Sequence, residues 1–315
     1  MGSLSINCMR EYLSKVISSF NKNKLNGLLA EIDFRQHLAS LGFQARVSPG
    51  GWILRRNRDD FGSRTVVIFP KVIEPGRNYV EEAFPDAPPL GLHTVCATFQ
   101  QIGIHAYYCL PSVGENQNPL SVTWRAARLG VPMPEPLHPF PAFLSHSFVE
   151  RDGAYNFLRH SANVDTIPDE LVSSVFSKEH LRVSFSNRFF GENSDVDGIF
   201  WGENYTYPLE VKEKTVASDP DMGEWFGLDV GPFVKLAFYA AKKGNLHSLF
   251  VIREIDDIET RGLVNWWFIT FETLATYASW VMRAGGAGMG GGRSAVVRIP
   301  RSRFSLVTAE NLSRL

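Results

Sequence analysis

The sequence is short of several things. It has 3 cysteines in 315 residues, Cys8, Cys96 and Cys109. An odd and sparse count excludes a disulfide scaffold and fits a reducing compartment. Net charge is nearly absent: 32 Lys and Arg stand against 33 Asp and Glu, a formal charge of -1. No overall field draws the chain onto nucleic acid or an acidic membrane, so any such binding must come from local patches. Long apolar runs are missing too. The strongest, Leu263 to Ile269 (LVNWWFI), is interrupted by Asn265 and far too short to span a bilayer. The first twenty residues mix Arg10, Glu11 and Lys15 with short apolar pieces and lack the continuous apolar segment of a secretory signal. A cytoplasmic protein with no membrane partner is expected.

What is present is an ordinary globular composition. The hydrophobic fraction is 44% and the charged fraction 21%, which excludes disorder as the main state. The length suits two small domains, or one domain with a large insertion. Residues 24–42 predict a helix, because Leu25, Leu28, Leu29 and Ile32 recur at helical spacing and Gly42 offers a C-cap. A strand is expected at 43–47 and another at 65–69. The stretch 93–109 reads as two strands. Residues 111–141 hold seven prolines and read as irregular, wrapping structure. From 181 the pattern sharpens. Strands are expected at 181–185, 197–201, 205–212, 248–253, 264–270 and 295–299, with helices at 233–243 and 271–283. Gly202-Glu203-Asn204 supplies a hairpin turn between the second and third of these strands. The glycine run at 285–292 lacks the Gly-Lys-Ser/Thr ending of a phosphate-binding loop and reads as a loop.

The chemistry concentrates in Ser194-Asp195-Val196-Asp197-Gly198-Ile199 and Pro208-Leu209-Glu210-Val211-Lys212-Glu213-Lys214. On a strand, Glu210 and Lys212 share one face while Leu209 and Val211 share the other. The hairpin brings the Asp197 end back towards Glu210. Two carboxylates and an ammonium converging in this way suit Mg²⁺, which takes hard oxygen ligands and substrate phosphate oxygens. A solvated hairpin, with Glu210 and Lys212 simply facing water, would carry the same residues. Glu31 bears on the choice. Leu28, Leu38 and Phe34 lie about 60°, −20° and −60° from it around the helix axis, so it sits amid the apolar stripe. A carboxylate there needs a partner or a cation. A boundary Glu that reaches out to solvent, or pairs with Arg35 at i+4, is the alternative.

These residues resemble the PD-(D/E)XK nuclease superfamily: a helix with a central Glu, then Asp-Gly-Ile, then Glu-Val-Lys-Glu-Lys, then a helix and two strands. The likeness covers residues 24–47 and roughly 181–270. It implies a restriction-endonuclease-like α/β core, a mixed central sheet flanked by helices, formed by residues 1–50 and 181–315. Residues 51–180 would be a large insertion for DNA recognition or dimerisation. It also implies that Asp197 and Glu210 bind Mg²⁺ (or Mn²⁺), that Lys212 is catalytic and that Glu31 completes the metal site. Val196 stands where the family's proline would be, which leaves Asp195 as a rival ligand. Asp197 is preferred because Gly198-Ile199 follows it. Pro208 departs from the expectation for a central strand and is expected at the strand's start.

Double-stranded DNA is the implied partner. Six arginines in the last 33 residues, Arg301 and Arg303 among them, face one acid there, Glu310. With Lys214, Arg188 and Lys235 they are the expected phosphate contacts. A second basic group, Arg55, Arg56 and Arg58, lies beside Trp52. The implied function is Mg²⁺-dependent endonuclease cleavage of DNA, of the type II restriction kind, by a homodimer. A structure-specific repair nuclease and a non-cleaving DNA-binding protein on the same fold are the alternatives. His93, Cys96, His105 and Cys109 have spacings of the kind that could ligate zinc, but the segment reads better as core strands with small buried thiols.

Overall fold

The computed structural model describes residues 2–16, 22–57, 65–79, 92–101, 103–114, 117–130, 136–153, 164–241, 247–284 and 293–315. Among them the protein is mixed α/β, with seven α-helices and sheets of mixed direction. No helix among these residues is long and apolar enough to cross a membrane. The chain divides into two compact units. One comprises Met1–Ile32 and Ser48–Val196, the other Asp33–Val47 and Asp197–Leu315. The division therefore falls at 32, 47 and 196, where 50 and 180 were expected, and the segment 51–180 shares its unit with residues 1–32. The glycine run at 285–292 and Arg58 lie outside the described residues.

The first unit contains α1 (Ile6–Val16), the first part of α2 (Lys22–Ser40), β1 (Gly51–Arg55), β2 (Val66–Pro70), α3 (Leu92–Gln101), β3 (His105–Ser112), β4 (Thr123–Arg128), β5 (His138–Phe140), β6 (Val149–Glu150), α4 (Asp169–Arg188), β7 (Phe189–Phe190) and β8 (Glu192–Val196). Six strands form one sheet in the order β5-β4-β3-β2-β1-β8, in which only β2 and β3 run parallel. Helix α4 is the spine of this unit. Asp169 and Glu170 in its first turn and Arg188 in its last complement the helix dipole. Its core contacts include Val172, Phe176, Leu181 and Phe185, which cluster with Leu13 of α1 and Trp52 of β1. The indole N–H of Trp52 donates to the Lys178 carbonyl at 2.9 Å and ties β1 to the helix. The strand expected at 181–185 is thus the C-terminal half of α4. The first strand expected within 93–109 is also a helix, α3. Its Thr, Val and Cys content suggested a strand, but packing overrides such weak propensities.

The second unit contains β9 (Gly198–Trp201), β10 (Thr206–Lys214), β11 (Ala217–Asp219), β12 (Gly223–Asp229), α5 (Val230–Ala240), β13 (Leu249–Ile255), β14 (Leu263–Thr270), α6 (Phe271–Tyr277), β15 (Ser279–Ala284), β16 (Arg293–Pro300), β17 (Ser305–Leu306) and α7 (Ala309–Leu312). Its five-stranded sheet has the order β17-β14-β13-β10-β9, and a four-stranded sheet has the order β11-β12-β16-β15. The central pair, β10 and β13, is parallel, and β11, β12 and α5 lie in the chain between them. Phe226, Leu236, Phe250 and Ile299 pack together from strands and helix. Burying side chains of this size contributes about 1.5–3 kcal/mol each.

The C-terminal part of α2, from Asp33, belongs to the second unit. Gly42, at φ 86°, ends this helix in the left-handed conformation that glycine adopts without strain. The strand expected at 43–47 is instead a 3-10 turn, Gln44–Arg46, after which Val47 makes a single bridge to Phe200. The helix expected at 271–283 stops at Tyr277. Ala278 turns extended, and the rest is β15, paired along its length with β16.

Candidate active site

The hairpin of β9 and β10 forms as its sequence predicts. The Gly202 N–H donates to the Tyr205 carbonyl at 2.8 Å across the turn, and the ladder runs from Trp201↔Thr206 to Gly198↔Leu209. Pro208 is not at the start of the strand as expected: it follows Thr206 and Tyr207 in β10 and lies opposite Ile199, just before the first β10–β13 pair, Leu209↔Leu249. Beyond Gly198 the ladder stops and a side chain takes over. The Val211 N–H donates to Oδ2 of Asp197 at 2.7 Å. That bond fixes the Asp197 carboxylate against the backbone of the residue between Glu210 and Lys212.

Asp197 and Glu210 are each 1% exposed. Glu210 is therefore not on a solvated face, and the plain-hairpin alternative does not describe it. A carboxylate withdrawn this far from water is costly unless it is paired. Two lysines are there. Lys212 Nζ lies 2.6 Å from Glu210 Oε1 and 3.8 Å from Asp197 Oδ2. Lys235 of α5 pairs with the other oxygen, Oε2. Lys235 is the only charged residue in an otherwise apolar helix sequence, VGPFVKLAFYA, and is 9% exposed. Sequence reasoning named it as a DNA contact and missed its bond to Glu210. A single cation inside an apolar helix was the available signal. Further along β10, burial holds the Lys214 ammonium below its ordinary pKa. Asp229 opposes that shift, neighbouring Lys212 reinforces it and Glu210 opposes it.

In the second unit the structure thus brings together Asp197, Glu210, Lys212 and Lys235. Their donor set fits a hard divalent cation: two buried carboxylates on one hairpin, with no sulfur or imidazole in these contacts.

The other predicted residues are placed as follows. In the first unit Glu31, 4% exposed, accepts from Lys178 Nζ at 2.5 Å. Asp195 of β8 sits opposite Trp52, and its carboxylate approaches that of Glu31 within 4.8 Å. Arg188 closes α4 and pairs with Glu150 at 3.1 Å. In the second unit Arg301 is engaged from two sides, by Glu224 at 2.7 Å and Glu254 at 2.9 Å. Arg303 is exposed and stacks on Tyr277, 4.0 Å from the ring centre. The two arginines differ accordingly: one is bound internally, the other faces solvent.

The zinc spacing does not become a site. Among the described residues, His93, Cys96, His105 and Cys109 form no group of converging ligands. His93 is exposed on α3, and burial pushes the Cys96 and Cys109 thiols up, so both stay neutral.

Comparisons with protein-family models, with curated proteins and with solved structures each give no match to this chain.

Proposed function

We propose that this protein is a divalent-metal-dependent deoxyribonuclease of the restriction-endonuclease-like kind, cutting phosphodiester bonds in double-stranded DNA as a type II restriction-type enzyme does. One observation carries the reading: two buried carboxylates, Asp197 and Glu210, share a hairpin with a lysine ammonium that reaches both. The sequence resemblance to PD-(D/E)XK nucleases names the same three residues. Asp197 and Glu210 would hold Mg²⁺ or Mn²⁺. Bound there, the ion would supply Lewis-acid polarisation of the phosphate and a lowered pKa for a coordinated water. Glu31 enters the ligand set through the resemblance.

The chain's own residues have definable parts. The Val211 N–H orients Asp197, so its carboxylate needs no reorganisation. Glu210 holds the Lys212 ammonium 2.6 Å from its own oxygen, so Lys212 can donate a hydrogen bond to the attacking water or to the negative charge growing on phosphate. In the reaction the water oxygen bonds to phosphorus and the bond to the leaving sugar oxygen breaks. Exposed Arg303 offers a phosphate contact, and Arg301 supports the turn that presents it. Two such proteins acting as a homodimer would cut both strands.

The test is incubation with mixed plasmid and phage DNA, with Mg²⁺ or with EDTA, followed by sequencing of the ends. Cleavage confined to the Mg²⁺ arm is expected. Undiminished cleavage in EDTA contradicts the proposal.

A further inference from the structure

Glu210 is held from two sides by two different elements. Lys212 comes from β10 itself and contacts Oε1. Lys235 comes from α5 and contacts Oε2. Each oxygen of one buried carboxylate therefore faces an ammonium. An ammonium is strongly hydrated, so drawing the Lys235 head out of water is unfavourable unless a buried anion receives it. Glu210 is that anion.

The charges of the group balance. Asp197 and Glu210 contribute two negative charges, and Lys212 and Lys235 two positive ones. A divalent cation added to these four groups would bring two further positive charges beside two ammoniums that already neutralise both carboxylates. It would also bind a carboxylate oxygen at about 2.1 Å, close to whatever ammonium that oxygen already held. Ion and ammonium repel, so one must withdraw. Lys212 spans both carboxylates, with a 3.8 Å approach to Asp197 as well. Lys235 is carried on a separate helix, and its head can leave Glu210 without disturbing the β10 pairing.

We infer that Lys235 is a positioning residue that occupies the cation's place on Glu210, is displaced when the cation binds, and so sets the protein's affinity for divalent metal. The inference rests on the metal-dependent reading above and adds its control.

The experiment is Mn²⁺ binding to the full chain without DNA, followed by electron paramagnetic resonance. Lys235→Met should bind Mn²⁺ about tenfold more tightly than wild type, a coupling of ordinary size. Lys235→Arg keeps the charge and should bind as wild type does. Unchanged or weaker binding by Lys235→Met overturns the inference, because a lysine with only a structural role would not restrain the metal. A crystal structure of the wild-type protein with Mn²⁺ gives an answer independent of how the variants fold. Lys235 Nζ parted from Glu210 supports the inference, and the contact retained beside bound metal overturns it. Asp197→Asn separates the two levels. If wild-type Mn²⁺ binding is absent, or is untouched by Asp197→Asn, the metal reading fails and this inference with it. If binding depends on Asp197 and Lys235 has no effect, this inference alone fails.

Discussion

The Asp197 carboxylate accepts a hydrogen bond from the backbone N–H of Val211 at 2.7 Å, fourteen residues further along the chain. The contact begins where the β9–β10 ladder ends, and it seats an acidic side chain beside Glu210 and Lys212. It also separates two roles of one residue. Asp197→Asn keeps an acceptor for Val211 and removes the charge. Its stability should stay within about 1 kcal/mol of wild type while Mn²⁺ binding is lost. Asp197→Ala leaves the Val211 N–H buried without that acceptor and should cost a further 1–3 kcal/mol or so in urea unfolding. Equal stabilities for the two variants would contradict this division.

The Glu31–Lys178 pair is buried at both ends, with side-chain exposures of 5% and 7%. Removing one partner takes this ion pair away from a charge that stays buried. Lys178→Met should lower stability by about 3–5 kcal/mol, whereas the double change Glu31→Gln with Lys178→Met should recover much of that loss. Urea unfolding of the four proteins in the cycle measures it. Additive effects would mean that the two charges do not depend on each other.

His180 makes the first unit sensitive to acid. The Trp124 indole N–H donates to His180 Nδ1 at 2.9 Å, and indole can only donate, so the proton of the neutral ring is on Nε2, 2.9 Å from the Pro119 carbonyl. Tyr12 and Phe176 pack against the ring. Burial lowers its pKa from 6.5 to about 4, against the raising influence of the Pro119 contact. The neutral form is favoured by folding. Stability is therefore fully present above pH 6.5 and falls as pH drops from 6.5 towards 4, by about 3 kcal/mol in all. His180→Gln should flatten that part of the pH profile. An unchanged slope between pH 6.5 and 4 would show that another group is responsible.

Arg301 and Arg303 should separate in salt titrations of DNA binding. Arg303→Ala removes an exposed cation and should reduce the slope of log K against log salt by about 1. Arg301→Ala takes away the ion pair of buried Glu254 and leaves it the Trp267 indole N–H, so its main effect should be on stability, with a smaller change in slope. Equal slope changes would mean that both arginines reach phosphate.

Much of the second unit was legible in the sequence. The hairpin of β9 and β10, the helix α5 and the strands β13 and β14 all carry clear periodicity or turn signals. Glu210 and Lys212 were assignable to one site because alternate strand residues share a face. The misreadings have physical causes. Helix α4 is buried on nearly every side, so the apolar segment around Leu181–Phe185 showed no amphipathic period and passed for a short strand. The C-terminal part of the helix expected at 271–283 is β15, whose Trp280 and Met282 are exposed, so hydrophobicity there does not report burial. The bonds from Lys235 to Glu210 and from Lys178 to Glu31 join residues far apart in the chain, and no local pattern specifies such pairs.

Single-turnover cleavage of duplex DNA at saturating enzyme and Mg²⁺, by wild type and by Lys212→Ala, tests the central claim most directly. Lys212 reaches both buried carboxylates, and its contribution is assigned to the transition state. The account predicts a fall in the rate of the chemical step of about 10²-fold or more, with DNA affinity little changed. A Lys212→Ala protein that cuts at the wild-type rate would contradict it.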